Sequence, residues 1–332
     1  MKTLSIIFIV SIAVFFSACS SKEVFKPKSV KDDWNYYGDI NEKIINVSST
    51  AALLKNRKVL VGKSVLDVKV PESDRLLGYS DGWVMSSNID GKLTLQFSSD
   101  VSMQKVFELK KTVASASVKD DVLAVLFVDN EMALYSISTK SLLLKEQGTA
   151  PIVVNSKIVS PYFMDNLVLF FTLDGKVVII SLEQKKKLRT VIVSSEDYFN
   201  NVIHFNVVDG KIIAATGHKI LALSEKELRV KYDIRDVLYN AGNIYLTTKQ
   251  GEVVSLTSDL QQNKKVKFPF AHFLGLVATE DKIYALEKEG YIIEFSKDLL
   301  EYNIYDVDVP DGYIFIANKV FYINDEYIAV KK

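Results

Sequence analysis

Cysteine, proline and tryptophan are scarce in this chain. Its 332 residues include one cysteine, two tryptophans and six prolines. The single cysteine, Cys19, has no second cysteine in the chain with which to form a disulfide. Net charge is absent as well, because 41 lysines and arginines balance 41 aspartates and glutamates. A neutral chain has no overall attraction for nucleic acid, and we therefore predict no nucleic-acid partner.

Sequence motifs that carry catalysis are also missing. No G-x-S-x-G, P-loop or H-E-x-x-H pattern occurs. The three histidines, His204, His218 and His272, have no ligand-type spacing. The Asp-Gly pairs are explained better as turns than as calcium loops. We predict that the protein is not an enzyme and has no cofactor and no metal.

The N terminus has the pattern of a secretory leader. A basic start is followed by an apolar run over residues 4–16, which is too short for a membrane-spanning helix. The sequence Phe-Ser-Ala-Cys at 16–19 resembles the lipobox of bacterial lipoproteins, in which the cysteine is acylated after cleavage. We predict a signal peptide at 1–18 and lipidation at Cys19. An ordinary signal peptide with a chance cysteine is the alternative.

Residues 19–33 are predicted to be the lipid anchor and a flexible tether, because they are mostly polar. Apolar residues become frequent again from Trp34, and we predict one folded domain over 34–332. In the resembled lipoproteins of enteric bacteria, Asp after the cysteine retains the protein at the inner membrane, and here that position is Ser20. We therefore expect an anchor in the outer membrane facing the periplasm, with the cell surface as the alternative.

The stretch NLVLFFTLDGKVVIISL at 166–182 predicts a β-hairpin. Two apolar runs rich in β-branched residues flank Asp174-Gly175. Asp-Gly between such runs is a strong signal for a tight primed turn, since glycine adopts positive φ without steric cost. An isolated hairpin is marginal in water, so this one needs neighbours.

Eight hairpins of this kind recur along the chain. Their turns begin at residues 62, 90, 129, 174, 217, 250, 289 and 318, a mean spacing of about 37. A period near 40 with strands throughout is typical of β-propeller blades. We predict an all-β fold, an eight-bladed β-propeller of four-stranded antiparallel blades in one monomeric domain. Seven blades are the alternative.

The segments between hairpins should supply the other strands of each blade. We predict inner strands at 150–154 and 202–205, and outer strands at 189–193 and 229–232. The first apolar segment, 34–47, should pair beside 327–330 and so complete the last blade. Closing the ring in this way would remove the long open sheet edge.

The repeated unit, an apolar strand, x-[DN]-G-x and a second apolar strand, resembles the PQQ-like propeller repeat. Together with the leader it resembles the β-propeller lipoproteins of the outer-membrane barrel-assembly machinery, the BamB type, over residues 30–330. The usual repeat carries a tryptophan where Leu188-Arg189 stands here, which argues against a bound quinone. The resemblance implies a lipid-anchored, non-catalytic scaffold that binds the outer-membrane barrel-assembly protein or another periplasmic or outer-membrane protein. A propeller that binds a small ligand or metal in its central channel, and a surface adhesin, are the alternatives.

Two stretches are candidates for partner binding. In the resembled family, loops of the middle blades contact the partner, and here that region holds Lys187, Arg189, Tyr198 and Phe199. The second stretch is Phe268-Pro269-Phe270, for which the candidates are Phe268 and Phe270. Tyrosine, arginine and other aromatic residues are enriched at interface hot spots. For each aromatic residue, the alternative is a side chain packed under its own blade.

Overall fold

The computed structural model describes residues 23–330, and every regular element in that range is a β-strand. Thirty-three strands form eight sheets, which are the eight blades of the predicted β-propeller. The described residues include no helix long and apolar enough to cross a membrane. The predicted signal peptide and Cys19 lie outside the described residues.

Two strands at the N-terminal end, β1 and β2, join blades that are otherwise formed near the end of the chain. They span Asp32–Asp33 and Tyr37–Asp39.

Blades 1 to 4 each contain four consecutive strands that run from the innermost to the outermost. Blade 1 contains β3 (Ile44–Val47), β4 (Ala52–Leu54), β5 (Lys58–Val61) and β6 (Ser64–Lys69). Blade 2 contains β7 (Arg75–Ser80), β8 (Trp83–Ser87), β9 (Lys92–Phe97) and β10 (Gln104–Glu108). Blade 3 contains β11 (Val113–Lys119), β12 (Val122–Phe127), β13 (Glu131–Ser136) and β14 (Leu142–Gln147). Blade 4 contains β15 (Tyr162–Met164), β16 (Leu167–Phe171), β17 (Lys176–Ser181) and β18 (Lys186–Ile192).

Blades 5 to 7 repeat this order, and blade 8 has three consecutive strands of its own. Blade 5 contains β19 (His204–Val208), β20 (Lys211–Ala215), β21 (Lys219–Leu223) and β22 (Glu227–Lys231). Blade 6 contains β23 (Ile234–Asn240), β24 (Asn243–Thr248), β25 (Glu252–Thr257) and β26 (Gln262–Lys267). Blade 7 contains β27 (Phe273–Ala278), β28 (Lys282–Glu287), β29 (Tyr291–Ser296) and β30 (Tyr302–Asp306). Blade 8 contains β31 (Ile314–Ala317), β32 (Val320–Ile323) and β33 (Glu326–Ala329).

The N-terminal strand β2 closes the ring as the sequence predicted. It pairs antiparallel with β33, with Gly38 opposite Tyr327, and so becomes the outermost strand of blade 8. Trp34, which is buried, donates a hydrogen bond from Nε1 to the carbonyl oxygen of Ala329 at 2.9 Å. The two ends of the chain therefore share one sheet.

The turn at Asp174-Gly175 is not of the predicted primed type. The amide of Thr172 donates to the carbonyl of Lys176 at 2.9 Å, and the amide of Gly175 donates to the carbonyl of Thr172 at 3.4 Å. With φ of 85° at Gly175, this is a three-residue turn that ends in a left-handed residue. A Cβ at Gly175 would lie 2.7 Å from the carbonyl oxygen of Ser194, so close packing on the next loop also requires glycine.

The shorter hairpin spacing at both ends of the chain has a structural reason. The six middle hairpins join the second and third strands of their blades. The hairpin at residue 62 joins the third and fourth strands of blade 1, and the hairpin at 318 joins the first and second strands of blade 8. The repeat is therefore regular, although the recognisable turns are not equivalent at its two ends.

The core is divided into eight hydrophobic clusters, and each lies between two adjacent blades. Alternate residues of one strand belong to different clusters. On β16, Val168 and Phe170 face blade 3, whereas Leu169 and Phe171 face blade 5. A middle strand buried on both faces needs a continuous apolar run, which explains the sequence LVLFF.

Two predicted segments differ from the structure. Residues 150–154 do not form the inner strand of blade 4, which is β15; they belong to the loop that precedes it. The predicted tether at 19–33 is also wrong in its second half. Phe25 is buried against blades 6 and 7, and β1 pairs with β30 in parallel. Chain-to-blade contacts therefore begin before the predicted domain start at residue 34.

Candidate protein-binding surface

Two loops that lead into neighbouring blades meet at the surface of the propeller. Residues 148–161 connect β14 to β15, and residues 193–203 connect β18 to β19. Val153 and Tyr198 form a parallel β-bridge. The amide of Phe199 donates to the carbonyl oxygen of Val153 at 3.0 Å. The two loops are therefore joined through their backbones.

Two buried asparagines fix this loop pair from below. Asn201 accepts a hydrogen bond from the amide of Asn155 at 2.6 Å and donates Nδ2 to the carbonyl oxygen of Lys157 at 2.6 Å. Asn200 donates Nδ2 to the carbonyl oxygens of Asp174 and Ser194, each at 2.9 Å. These side chains satisfy backbone groups that no strand pairs, so the loops have a defined conformation.

Four apolar side chains project from the joined loops into solvent. Ile152 is 70% exposed, Tyr198 56%, Phe199 49% and Val153 41%. We call these four residues the aromatic loop surface. Exposed aromatic side chains that stand close together on a rigid base are typical of protein-binding sites.

Polar groups border the aromatic loop surface. The Nε2 atom of His218 lies 3.1 Å from the carbonyl oxygen of Tyr198. Lys219 and Glu196 form an ion pair at 3.8 Å. An apolar centre with a polar margin is the usual anatomy of a protein interface.

The predicted basic residues lie elsewhere on blade 4. Lys187 and Arg189 are on the outermost strand, β18. Lys187 forms an ion pair with Glu146 of blade 3 at 2.8 Å, and Arg189 forms one with Glu227 of blade 5. Both residues therefore link neighbouring blades, and within residues 23–330 no hydrogen bond joins either of them to the loop at 194–201.

The second predicted stretch is divided between core and surface. Phe268 is buried, with its ring 5.1 Å from that of Tyr302 and 5.7 Å from that of Phe295, so the prediction that it faces a partner is wrong. The amide of Phe268 donates to the carbonyl oxygen of Gly251 at 2.7 Å, which turns the ring inward. Phe270 is 58% exposed.

Ile152 and Val153 are surface residues that sequence reasoning assigned to an inner strand. Pro151 lies just before them and Asn155-Ser156 just after. These residue types interrupt strands and favour turns, and they were the available signal for a loop.

The central channel contains a cavity of about 330 Å³, which is lined by inner strands and loops of blades 1 to 5. Its polar lining consists mainly of hydroxyl groups and includes no charged side chain. The hydroxyls of Ser49 and Ser160 are 2.9 Å apart across it. Among residues 23–330, no group of three or more histidine, cysteine or acidic side chains is placed to hold a metal ion.

Of the three histidines, His204 has the most distinctive environment. It begins the inner strand of blade 5, and its Nε2 atom is buried without a hydrogen-bond partner among the described residues. Burial lowers the pKa of His204 from 6.5 to about 4, opposed by Asp236 and reinforced by Lys157. The imidazole is therefore neutral near pH 7.

Comparison by sequence finds related proteins in one species. No family model matches the chain. The plasminogen-binding protein PgbB of Helicobacter pylori is 28% identical in strain J99 and 27% identical in strain 26695, over 92% of this chain in each case. The chain spans 65% of the length of these curated relatives.

Comparison by structure identifies propellers of similar size. BamB from Moraxella catarrhalis superposes with a TM-score of 0.68 and 13% identity, covering 89% of this chain and 98% of that one. The C-terminal WD40 domain of Sif2 gives a TM-score of 0.64 at 9% identity, covering 90% and 99%. At these identities the likeness concerns the fold alone. The chain has a BamB-like fold, an eight-bladed β-propeller closed by its own N-terminal strand.

Proposed function

We propose that the protein is a non-catalytic propeller scaffold that binds another protein through the aromatic loop surface. The observation that carries the proposal is the exposure of Tyr198, Phe199, Ile152 and Val153 on two loops that are hydrogen-bonded to each other. Because Asn200 and Asn201 already hold these loops in place, a partner gains contact area without paying to order them. The names of the sequence relatives support protein binding in general.

The finer proposal is that the chain is anchored in the outer membrane through an acylated Cys19 and assists assembly of outer-membrane proteins from the periplasm. The lipobox-like sequence at 16–19 supports the anchor, and the BamB-like fold supports the role. Labelling cells with an alkyne analogue of palmitate should mark the natural protein, and Cys19→Ser should lose the label. An unlabelled natural protein would rule out this anchor.

A second candidate partner is a soluble extracellular protein such as plasminogen. The relatives that match 92% of the chain are named for plasminogen binding. This candidate requires exposure at the cell surface, whereas outer-membrane assembly requires exposure to the periplasm. Protease added to intact cells distinguishes them: degradation of the propeller favours the extracellular partner, and protection until the outer membrane is permeabilised favours the assembly role.

The binding surface is tested with the double variant Tyr198→Ser/Phe199→Ser. Loss of two hot-spot aromatics typically weakens a complex by 2 kcal/mol or more, so we expect affinity to fall roughly 30-fold. Recovery of the barrel-assembly protein from native membranes and binding of purified plasminogen on a biosensor are the two measurements. The partner that the natural protein binds should be lost by the double variant.

A matched control removes equally exposed apolar side chains on other blades. Ile89 is 77% exposed on blade 2 and Tyr313 is 50% exposed beside blade 8. Ile89→Ser/Tyr313→Ser should retain binding. Equal loss in both double variants, or full retention by Tyr198→Ser/Phe199→Ser, would show that the aromatic loop surface is not the binding site.

A further inference from the structure

The N-terminal segment, residues 23–33, is fastened along the outer edge of blades 6 and 7. Phe25 is 5% exposed, and its ring makes edge contacts with Phe268 at 5.9 Å and Tyr291 at 5.6 Å. Further along, the amide of Lys31 donates to the carbonyl oxygen of Ile304 at 2.8 Å. The position of the chain relative to the propeller is therefore fixed from Phe25 onward.

A groove of about 1000 Å³ lies between this segment and blades 6 and 7. We call it the rim groove; its walls are residues 23–31, 267–270 and 302–304. Four lysines and a single acidic residue, Glu23, line it; the lysines are Lys26, Lys28, Lys31 and Lys267. All four lysines are exposed, and none forms an ion pair within residues 23–330. In a chain without net charge, this is a local positive surface.

Exposed apolar side chains stand beside these lysines. Phe270 is 58% exposed, Tyr302 48% and Val30 41%, and all three line the rim groove. Lysines mixed with aromatic side chains fit the boundary of an anionic bilayer, where charges meet phosphates and rings enter the headgroup layer. An uncharged partner would leave the lysines without counter-charges, and a small anion in water would leave the exposed apolar side chains uncovered.

The length of chain before Phe25 points to the same occupant. Cys19 precedes Phe25 by six residues, and a fully extended segment of that length spans about 20 Å. If Cys19 is acylated, a condition that rests on the function proposed above, the rim groove must stay within that distance of the bilayer. We propose that the rim groove is a membrane-contacting surface that binds anionic phospholipid headgroups and holds the propeller on edge.

This arrangement has a consequence for the aromatic loop surface. Blades 6 and 7 would face the bilayer, and blade 3, opposite blade 7 in a ring of eight, would point away from it. The aromatic loop surface lies on the loops that lead into blades 4 and 5 and shares no residue with the rim groove. Membrane contact and partner binding would then use separate parts of the ring and are separable by experiment.

The test uses residues 20–332, which include every described residue and have no acyl chain. Binding is measured by cosedimentation with vesicles of phosphatidylethanolamine containing phosphatidylglycerol, and with vesicles of phosphatidylcholine alone. We expect binding to the anionic vesicles only. Since a lysine at an anionic surface is worth about 1 kcal/mol, Lys26→Gln/Lys28→Gln/Lys267→Gln should lower the partition coefficient roughly 100-fold.

The matched control removes three exposed lysines on blades 3 and 4 that form no ion pair with another described residue: Lys140→Gln/Lys185→Gln/Lys186→Gln. It should bind the anionic vesicles as the natural chain does. Equal binding to both kinds of vesicle, or equal loss in both triple variants, would overturn the proposal. So would release by inorganic phosphate at constant ionic strength, which would indicate a site for free phosphate rather than a lipid surface.

Contact between lipid and the rim groove is measured by tryptophan fluorescence, with a tryptophan introduced into the groove. Both native tryptophans, Trp34 and Trp83, are buried, so they contribute little quenchable background. Phe270→Trp fluorescence should be quenched by brominated lipid in anionic vesicles, whereas Phe199→Trp fluorescence should not. Quenching of Phe199→Trp alone would place the lipid contact elsewhere. None of these measurements depends on acylation or on a protein partner, so failure here leaves the scaffold proposal standing.

Discussion

His204 shows how one buried side chain makes the stability of the ring depend on pH. Its pKa is lowered to about 4 by burial, whereas an unfolded histidine has a pKa near 6.5. Between these two values the unfolded chain binds a proton that the folded chain does not. Stability is therefore complete above the unfolded pKa and declines as the pH falls, by up to about 3 kcal/mol once the folded pKa is passed.

Replacing His204 by glutamine should remove this dependence. We expect the free energy of unfolding of His204→Gln to fall less than that of the natural chain between about pH 7 and about pH 4. Urea unfolding at several pH values measures the difference. His218→Gln, which removes an imidazole at a turn, is the control. Parallel losses in His204→Gln and the natural chain would mean that His204 is not the group responsible.

Phe268 and Phe270 show which properties of single residues could be predicted from the sequence and which could not. Their aromatic character and loop position were evident, but the sequence left open whether these rings, and those of Tyr198 and Phe199, are exposed or packed under their own blades. Which phenylalanine turns inward depends on Phe25, more than two hundred residues away in sequence, and on a backbone hydrogen bond to Gly251. The residues next to Phe268 in sequence do not indicate that it packs against Phe25.

At the scale of elements, the turn between the second and third strands is the repeated joint of the blades. Blade 3 has Asn130 in the left-handed position, with φ of 64°, where blade 4 has Gly175. Asn130 is fully buried; it donates to the carbonyl oxygen of Thr149 at 2.6 Å and accepts from the amide of Leu173 at 2.7 Å. Its side chain therefore ties blade 3 to the turn of blade 4.

Removing this side chain should weaken the joint in two ways. Asn130→Ala leaves the buried amide of Leu173 and the partly buried carbonyl of Thr149 unpaired and strains a left-handed residue, so we expect a loss of about 3 kcal/mol in unfolding free energy. Asn130→Gly relieves only the strain and should be more stable than Asn130→Ala by about 1 kcal/mol. Urea unfolding gives both values, and hydrogen exchange at Leu173 should accelerate. An Asn130→Ala variant as stable as the natural chain would refute this role.

The strand elements themselves were predictable to different degrees. Apolar runs with turn residues between them identified all eight hairpins, and six of these hairpins join the middle strands, which are buried on both faces. The inner strand of blade 4 has only the three residues Tyr162–Met164, preceded by a long loop. Ile152 and Val153 resembled part of a buried strand because they are apolar, yet both are exposed and belong to the aromatic loop surface. Apolar residues occur both in buried strands and on surfaces that bind a partner. The residue type alone therefore does not distinguish the two.

At the scale of the whole molecule, closure depends on pairing between β2 and β33. Asp39 lies opposite Glu326 in this pair. The pKa of Glu326 is raised by burial and by the carboxylates of Asp308, Asp325 and Asp39. The closing strands therefore carry an unfavourable concentration of negative charge, which backbone pairing and the packing of Trp34, Ile40 and Tyr327 oppose.

A cross-link at this seam should stabilise the entire ring. In residues 20–332, Asp39→Cys/Glu326→Cys places two thiols at directly opposed cross-strand positions, within the range that a disulfide bridges after small adjustments. We expect oxidation to raise unfolding free energy by about 2–4 kcal/mol. Asp39→Ser/Glu326→Ser measures the effect of charge removal alone. If the oxidised cysteine variant were no more stable than its reduced form, closure would not limit stability.

The shared last blade also sets an order of events during biosynthesis. Residues 37–39 leave the ribosome before every other strand of that blade, and their partner at 326–329 leaves only after blades 1 to 7. The strand β2 therefore has no partner while blades 1 to 7 are synthesised. A chain stalled before residue 326 would have two unpaired strand edges, those of β2 and β32, and open edges of this kind promote aggregation and are covered by chaperones.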